Sequence, residues 1–129
     1  MIESNEDTIA AIATPVGEGG IAVIRVSGPR AIEIVDGRFV GKKALKDAAS
    51  HSAHFGYFKN QNNEEIDEVV TTLFKAPNSY TGDDIVEISC HGGFYITNHI
   101  LMELIACEAR LAMPGEFTKR AFLNGKIDL

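Results

Sequence analysis

The chain has 129 residues, 45% of them hydrophobic and 23% charged, which suits one globular domain with a single core. Its net charge is −6, from 18 acidic against 12 basic residues, so the domain as a whole lacks the basic face that nucleic-acid phosphates demand. No apolar run approaches the roughly 20 residues of a membrane-spanning helix, the acidic start Met1–Asp7 is no signal peptide, and Cys90 and Cys107 lack metal or redox spacing, so a cytoplasmic protein is expected.

In chain order, Thr8 to Thr14 reads as a short strand, followed by the glycine loop Pro15-Val16-Gly17-Glu18-Gly19-Gly20. Ile21 to Ser27 is a second strand, apolar on nearly both faces and therefore central. Gly28-Pro29 breaks it, and Pro29 suits the first turn of a helix from about Arg30 to Val35. The lysine- and alanine-rich stretch Lys42 to Ser50 reads as surface loop or weak helix. Ser52 to Lys59 and Ile66 to Lys75 read as strands of a hairpin turning at Asn60–Asn63. After a polar loop from Pro77 to Asp84 come the strand Ile85 to Cys90 and His91-Gly92-Gly93.

Ile96, Ile100, Leu101, Leu104 and Ile105 recur at helical spacing between Phe94 and Cys107. A short strand over Ala109–Ala112 and a helix from Glu116 to Asn124 follow. That last helix is expected to bury Phe117, Ala121 and Phe122 behind a solvated charged face, with Gly125 as its left-handed C-cap. Asp128 reads as the N-cap of a further helix, so residues 1–124 are expected to form one domain and 125–129 the start of a next one. The predicted class is α+β, a mixed or antiparallel sheet with helices packed on one side.

Gly17-Glu18-Gly19-Gly20-Ile21-Ala22 matches a dinucleotide fingerprint on paper, but the element after it is a strand, whereas the fingerprint needs a helix N-terminus to hold the pyrophosphate. The glycines then form a turn, or let backbone approach a ligand or partner closely. There is no G-x-x-x-x-G-K-[ST] run, hence no phosphate-binding loop of the nucleoside-triphosphatase kind. His91-Gly92-Gly93 is either a tight strand-to-helix turn or a weak anion site, and the histidines have no metal-ligand spacing.

Two charges stand out because they lie inside apolar strands. By strand parity Arg25 shares a face with Ile21, Val23 and Ser27, and Glu87 with Ile85 and Ser89. Each must be paired or must meet a ligand. They line one polar pocket, or they pair with each other.

Four ordered blocks carry a resemblance. They are Asp7-Thr8-Ile9-Ala10-Ala11-Ile12-Ala13-Thr14-Pro15 with Gly19–Gly28, Pro77–Glu87, His91-Gly92-Gly93, and Pro114-Gly115-Glu116-Phe117-Thr118-Lys119-Arg120-Ala121-Phe122-Leu123-Asn124-Gly125-Lys126-Ile127-Asp128-Leu129, with Met113 where an Arg or Lys is usual. Together they resemble the N-terminal domain of the MnmE/TrmE family of tRNA-modification GTPases over essentially the whole chain. The resemblance implies a fold similar to the folate-binding domain of T-protein-like aminomethyltransferases. It implies a bound tetrahydrofolate, in the 5-formyl or 5,10-methylene form, contacted by Arg25, Glu87 and Lys126, and homodimerisation through this domain. It further implies that the parent acts with a flavin-dependent partner, MnmG (GidA), to add an aminomethyl-type group to carbon 5 of the wobble uridine of tRNA. GTP, magnesium and potassium would belong to a GTPase domain outside these residues. A ligand-free dimerisation scaffold is the alternative, and a stand-alone one-carbon transfer enzyme a third reading.

Overall fold

The computed structural model describes residues 7–14 and 20–127. The segment Met1–Glu6, most of the glycine loop (15–19) and the Asp128 cap fall outside them. In chain order the elements are β1 (Ile9–Ile12), β2 (Ile21–Ser27), α1 (Ala31–Asp36), β3 (Phe39–Gly41), β4 (Ser52–Lys59), β5 (Glu65–Phe74), β6 (Ile85–His91), α2 (Phe94–Ala106), β7 (Arg110–Leu111) and α3 (Glu116–Leu123). No helix of the described residues is long and apolar enough to cross a membrane.

The strands form one mixed sheet in the order β3-β4-β5-β6-β2-β1-β7. Every pairing is antiparallel except β1 with β7, which is parallel. The β4–β5 hairpin is the local unit. By contrast β2 sits between β1 and β6, whose residues lie more than fifty positions downstream in sequence.

Alternation along β2 and β6 sorts their side chains between two faces. One face carries Ala22, Ile24, Val26, Val86, Ile88 and Cys90, all buried. These pack with Ile34 and Val35 of α1 and with Ile100, Leu101 and Leu104 of α2 in the main core. The predicted helical spacing in α2 is thus the face that meets the sheet. The short stretch before β4 is better anchored than a surface loop. A single 3-10 turn at Leu45–Asp47 drives Leu45 and Ala48 into the core, and the Leu45 N–H donates to the Asp36 carboxylate at 2.8 Å.

The other face carries Ile21, Val23, Arg25 and Ser27 of β2, opposite His91, Ser89, Glu87 and Ile85 of β6. It is open at one end, where Ile21 is 70% exposed, and covered at the other, where Ser27 and Ile85 are buried. β2 is central in the sheet as expected, but only one of its faces is a core face. The cover is α3 together with loop 75–84: the Ser27 hydroxyl meets the Thr81 hydroxyl at 2.8 Å, and the Asn124 side-chain amide donates to the Thr81 carbonyl at 2.7 Å. So α1 and α2 pack on one side of the sheet, as expected, and α3 stands over the opposite one.

The chain reaches this arrangement through a close crossing at Gly28. Its φ is +144°, and a Cβ there would lie 2.6 Å from the Thr8 backbone. The Thr8 hydroxyl accepts the Arg30 N–H at 2.9 Å at the same crossing. Gly125, with φ +74°, follows α3 in the left-handed conformation its sequence position predicts.

Candidate binding site

Arg25 and Glu87 are direct cross-strand partners in the β2–β6 register. The Arg25 Nε donates to Glu87 Oε2 at 2.9 Å, and one terminal nitrogen lies 2.9 Å from the same oxygen. The two side chains keep 29% and 27% of their surface exposed, so the pair is neither core nor freely solvated. Because both donors use one oxygen, Glu87 Oε1 and the other terminal nitrogen of Arg25 are left without a protein partner among the described residues.

Arg25 also forms one wall of a cavity of about 380 Å³, whose other walls are Tyr80, Gly115, Phe117 and Thr118. That volume is in the range of small-molecule sites. The guanidinium carbon lies 5.4 Å from the centre of the Phe117 ring and 6.0 Å from that of Tyr80, within cation–π reach. The Tyr80 hydroxyl and the Thr118 hydroxyl are 2.9 Å apart, bridging loop 75–84 to α3 across the cavity. Gly115 adopts φ +75° at the N-cap of α3, a backbone turn that disfavours side chains.

Both walls are held firmly. Within the loop, Ser79 Oγ donates to the Asp83 carbonyl and accepts the Gly82 N–H, Thr81 Oγ1 accepts the Asp83 N–H, and the Asp84 carboxylate accepts the Ala76 N–H. The helix is held by charge. Glu116 and Arg120 are buried, with Ala121, whereas Phe117 is half-buried and Phe122 exposed. Ala121 is buried as predicted, but the prediction is reversed for Phe122, Glu116 and Arg120. The reversal is possible because each charge finds partners: Arg110 grips both oxygens of Glu116 at 2.6 and 3.1 Å, and the Met113 N–H adds a third bond at 2.9 Å.

Arg120 donates to the Asp7 carbonyl and lies 3.5 Å from Glu116 and 4.0 Å from Asp83. Burial alone would push the Glu116 carboxyl up, but Arg110, the Met113 N–H and Arg120 together hold it below its ordinary value. Burial pushes the Asp83 carboxyl up, with Arg120 only partly opposing it.

Of the three residues expected at a site, the structure joins Arg25 and Glu87 and does not join Lys126 to them. Lys126 does not line the cavity; its ammonium donates to the Pro77 carbonyl at 3.1 Å, at the base of the loop that carries Tyr80. Tyr80, Phe117 and Thr118 were not singled out by sequence reasoning. The available signal was an aromatic residue inside the polar run Asn78-Ser79-Tyr80-Thr81-Gly82.

His91 belongs to a separate constellation at the far end of β6. The Asp67 carboxylate accepts its backbone N–H at 2.8 Å and pairs with Nδ1 at 2.7 Å, which raises the imidazole pKa above the ordinary 6.5. This bond gives His91 a partner within the fold, and no group of three metal-ligating side chains exists among the described residues.

Comparison with known proteins gives the setting. The family described as "GTP-binding protein TrmE N-terminus" matches residues 8–126. Curated relatives named "tRNA modification GTPase MnmE" include those of Salinibacter ruber, 56% identical over 98% of this chain, Listeria welshimeri, 55% identical over 95%, and Geobacillus kaustophilus, 52% identical over 95%. In each case the chain spans 27% of the relative's length. The chain therefore belongs to the TrmE N-terminal family, that of the N-terminal domain of tRNA-modification GTPases.

Proposed function

We propose that this domain binds a reduced folate, in the 5-formyl or 5,10-methylene form, beside the Arg25–Glu87 pair, and that it dimerises as part of a GTPase that modifies tRNA. The observation that carries the reading is the half-satisfied ion pair at the aromatic-walled cavity. A pterin ring presents N–H donors beside a carbonyl oxygen along its amino-pyrimidinone edge. Glu87 Oε1 is an unused acceptor and the free Arg25 nitrogen an unused donor, so the residues present fit that edge. Lys126 would serve the ligand only after leaving the Pro77 carbonyl, a change its long side chain allows.

Bound there, the folate would supply the one-carbon unit, and this chain would bind and orient it. GTP, with magnesium and potassium, would act in other parts of the parent protein, as would contacts with MnmG and tRNA. Homodimerisation is supported by the open sheet face, where Ile21, Phe55 and Val70 are exposed together on neighbouring strands. The competing reading, a scaffold without ligand, is favoured by the fact that Arg25 and Glu87 do close on each other.

Calorimetric titration of the purified domain with 5-formyltetrahydrofolate decides between them, with light scattering on each end state. Saturable binding by a dimer is expected. A folded dimer that takes up no folate would leave the scaffold reading standing.

A further inference from the structure

We infer that Lys42 and Lys43 form a docking point for the γ-linked oligoglutamate tail of a folate, in a second cavity across the sheet from Arg25. The inference rests on the folate reading above and goes beyond it, to a part of the ligand which that reading leaves unplaced. The cavity has a volume of about 310 Å³ and is lined by Lys42, Lys43, Ala53, His54 and Phe55. It lies just past the end of β3, beside β4, and no carboxylate lines it. Charge is the first observation. The chain carries a net charge of −6, and Arg25, Arg30, Arg38 and Arg110 each have an acidic partner. Lys42 and Lys43 are both exposed, and neither has an ion-pair or hydrogen-bond partner among the described residues. Two neighbouring ammoniums left unpaired in an acidic domain make a local positive field that selects an anion.

The second observation is the strand register. Arg25 opposes Glu87, Glu87 opposes Thr72, and Thr72 opposes Ala53. Directly opposed residues share a face, so these four form one row across β2, β6, β5 and β4 on the open side of the sheet. Arg25, at one end of the row, lines the first cavity, and Ala53, at the other, lines the second. Three strand spacings, about 14 Å, separate them. The pteridine and aminobenzoyl rings of an extended folate cover a comparable length. A ring edge held at Arg25 and Glu87 therefore brings the glutamyl carboxylates to the two lysines. Thr72 and Ala53 carry short side chains and leave the way between open. The row runs beside the apolar pair Val70 and Phe55, which belongs to the surface of the proposed dimer. Each further γ-linked glutamate adds a carboxylate, so the lysines discriminate folates by tail length.

The test is calorimetric titration of the domain at low salt with two probes, 5-formyltetrahydrofolate carrying one glutamyl residue and the same folate carrying five. Wild type is expected to bind the pentaglutamate about fivefold more tightly than the monoglutamate. Because the lysines are exposed, that preference is expected to vanish in about 0.5 M salt. The double variant Lys42→Gln/Lys43→Gln is expected to lose the preference while changing monoglutamate affinity by no more than about twofold. Both side chains are exposed, so its circular dichroism spectrum is expected to match that of wild type. Lys42→Glu/Lys43→Glu is expected to reverse the preference, since like charges then face each other.

If wild type binds both probes equally, or if the glutamine double variant keeps the whole preference, the tail site is overturned and the folate reading survives. If wild type binds neither probe, both fall together.

Discussion

Glu87 does two jobs in one position: it holds Arg25 through one oxygen and leaves the other free. Glu87→Gln keeps the shape but replaces a carboxylate by an amide that presents a donor to ligand donors. Folate affinity is expected to fall at least tenfold by calorimetry. Because the pair is only partly buried, its net worth to folding is expected to be under about 1 kcal/mol, read as a small shift in the urea midpoint. A second residue-level prediction concerns His91. Its imidazole pKa is raised in the folded state by Asp67, so this contact's stabilisation is fully present below the unfolded value and is lost as pH rises through the folded one. An NMR titration is expected to show the raised value in wild type and an ordinary one in Asp67→Asn. Arg25 and Glu87 were legible from parity alone, since a charge inside an apolar strand is conspicuous. Tyr80 and Phe117 were not, because the cavity forms between a loop and a helix brought together only by the tertiary fold.

Most elements were readable from periodicity and turn residues: the β4–β5 hairpin, α2, and even the short β7 fall where apolar spacing and glycine placed them. The exception is the way α3 is docked. Sequence patterning put its phenylalanines inward and its charges outward, because an isolated helix offers no hint that Arg110 and Asp83 will be waiting beneath it. The consequence is testable. Arg120→Ala leaves Asp83 and part of Glu116 uncompensated in a buried setting, and is expected to cost on the order of 3 kcal/mol in urea unfolding. The two carboxyls respond to acid with opposite sign. Glu116, held below its ordinary value, stabilises the docked helix above the unfolded value near 4.5, and that contribution is lost as pH falls through the folded one. Asp83, raised by burial, favours the folded state below its ordinary value and ceases to do so as pH rises through the folded one. Glu116→Gln is therefore expected to be less stable than wild type at pH 7, with the gap narrowing on acidification.

At the scale of the molecule, the sheet has one face sealed by α1 and α2 and another covered only in part, at the end where α3 stands. The uncovered part exposes Ile21, Phe55 and Val70, and it is the surface offered to the proposed dimer. Phe55→Glu places a charge there and is expected to convert a dimer to a monomer in sedimentation velocity, with the circular dichroism spectrum unchanged. The α+β class and the strand content followed from the sequence, but strand order did not, because nothing local pairs β2 with β6 or β1 with β7. That order matters during synthesis. β1 leaves the ribosome well before β7, yet among the described residues its outer edge is covered by β7 alone, and the Asp7 carbonyl beside it is capped by Arg120 of α3. A nascent chain stalled before residue 110 would carry an open strand edge for as long as translation paused, inviting pairing with a neighbouring copy or capture by a chaperone.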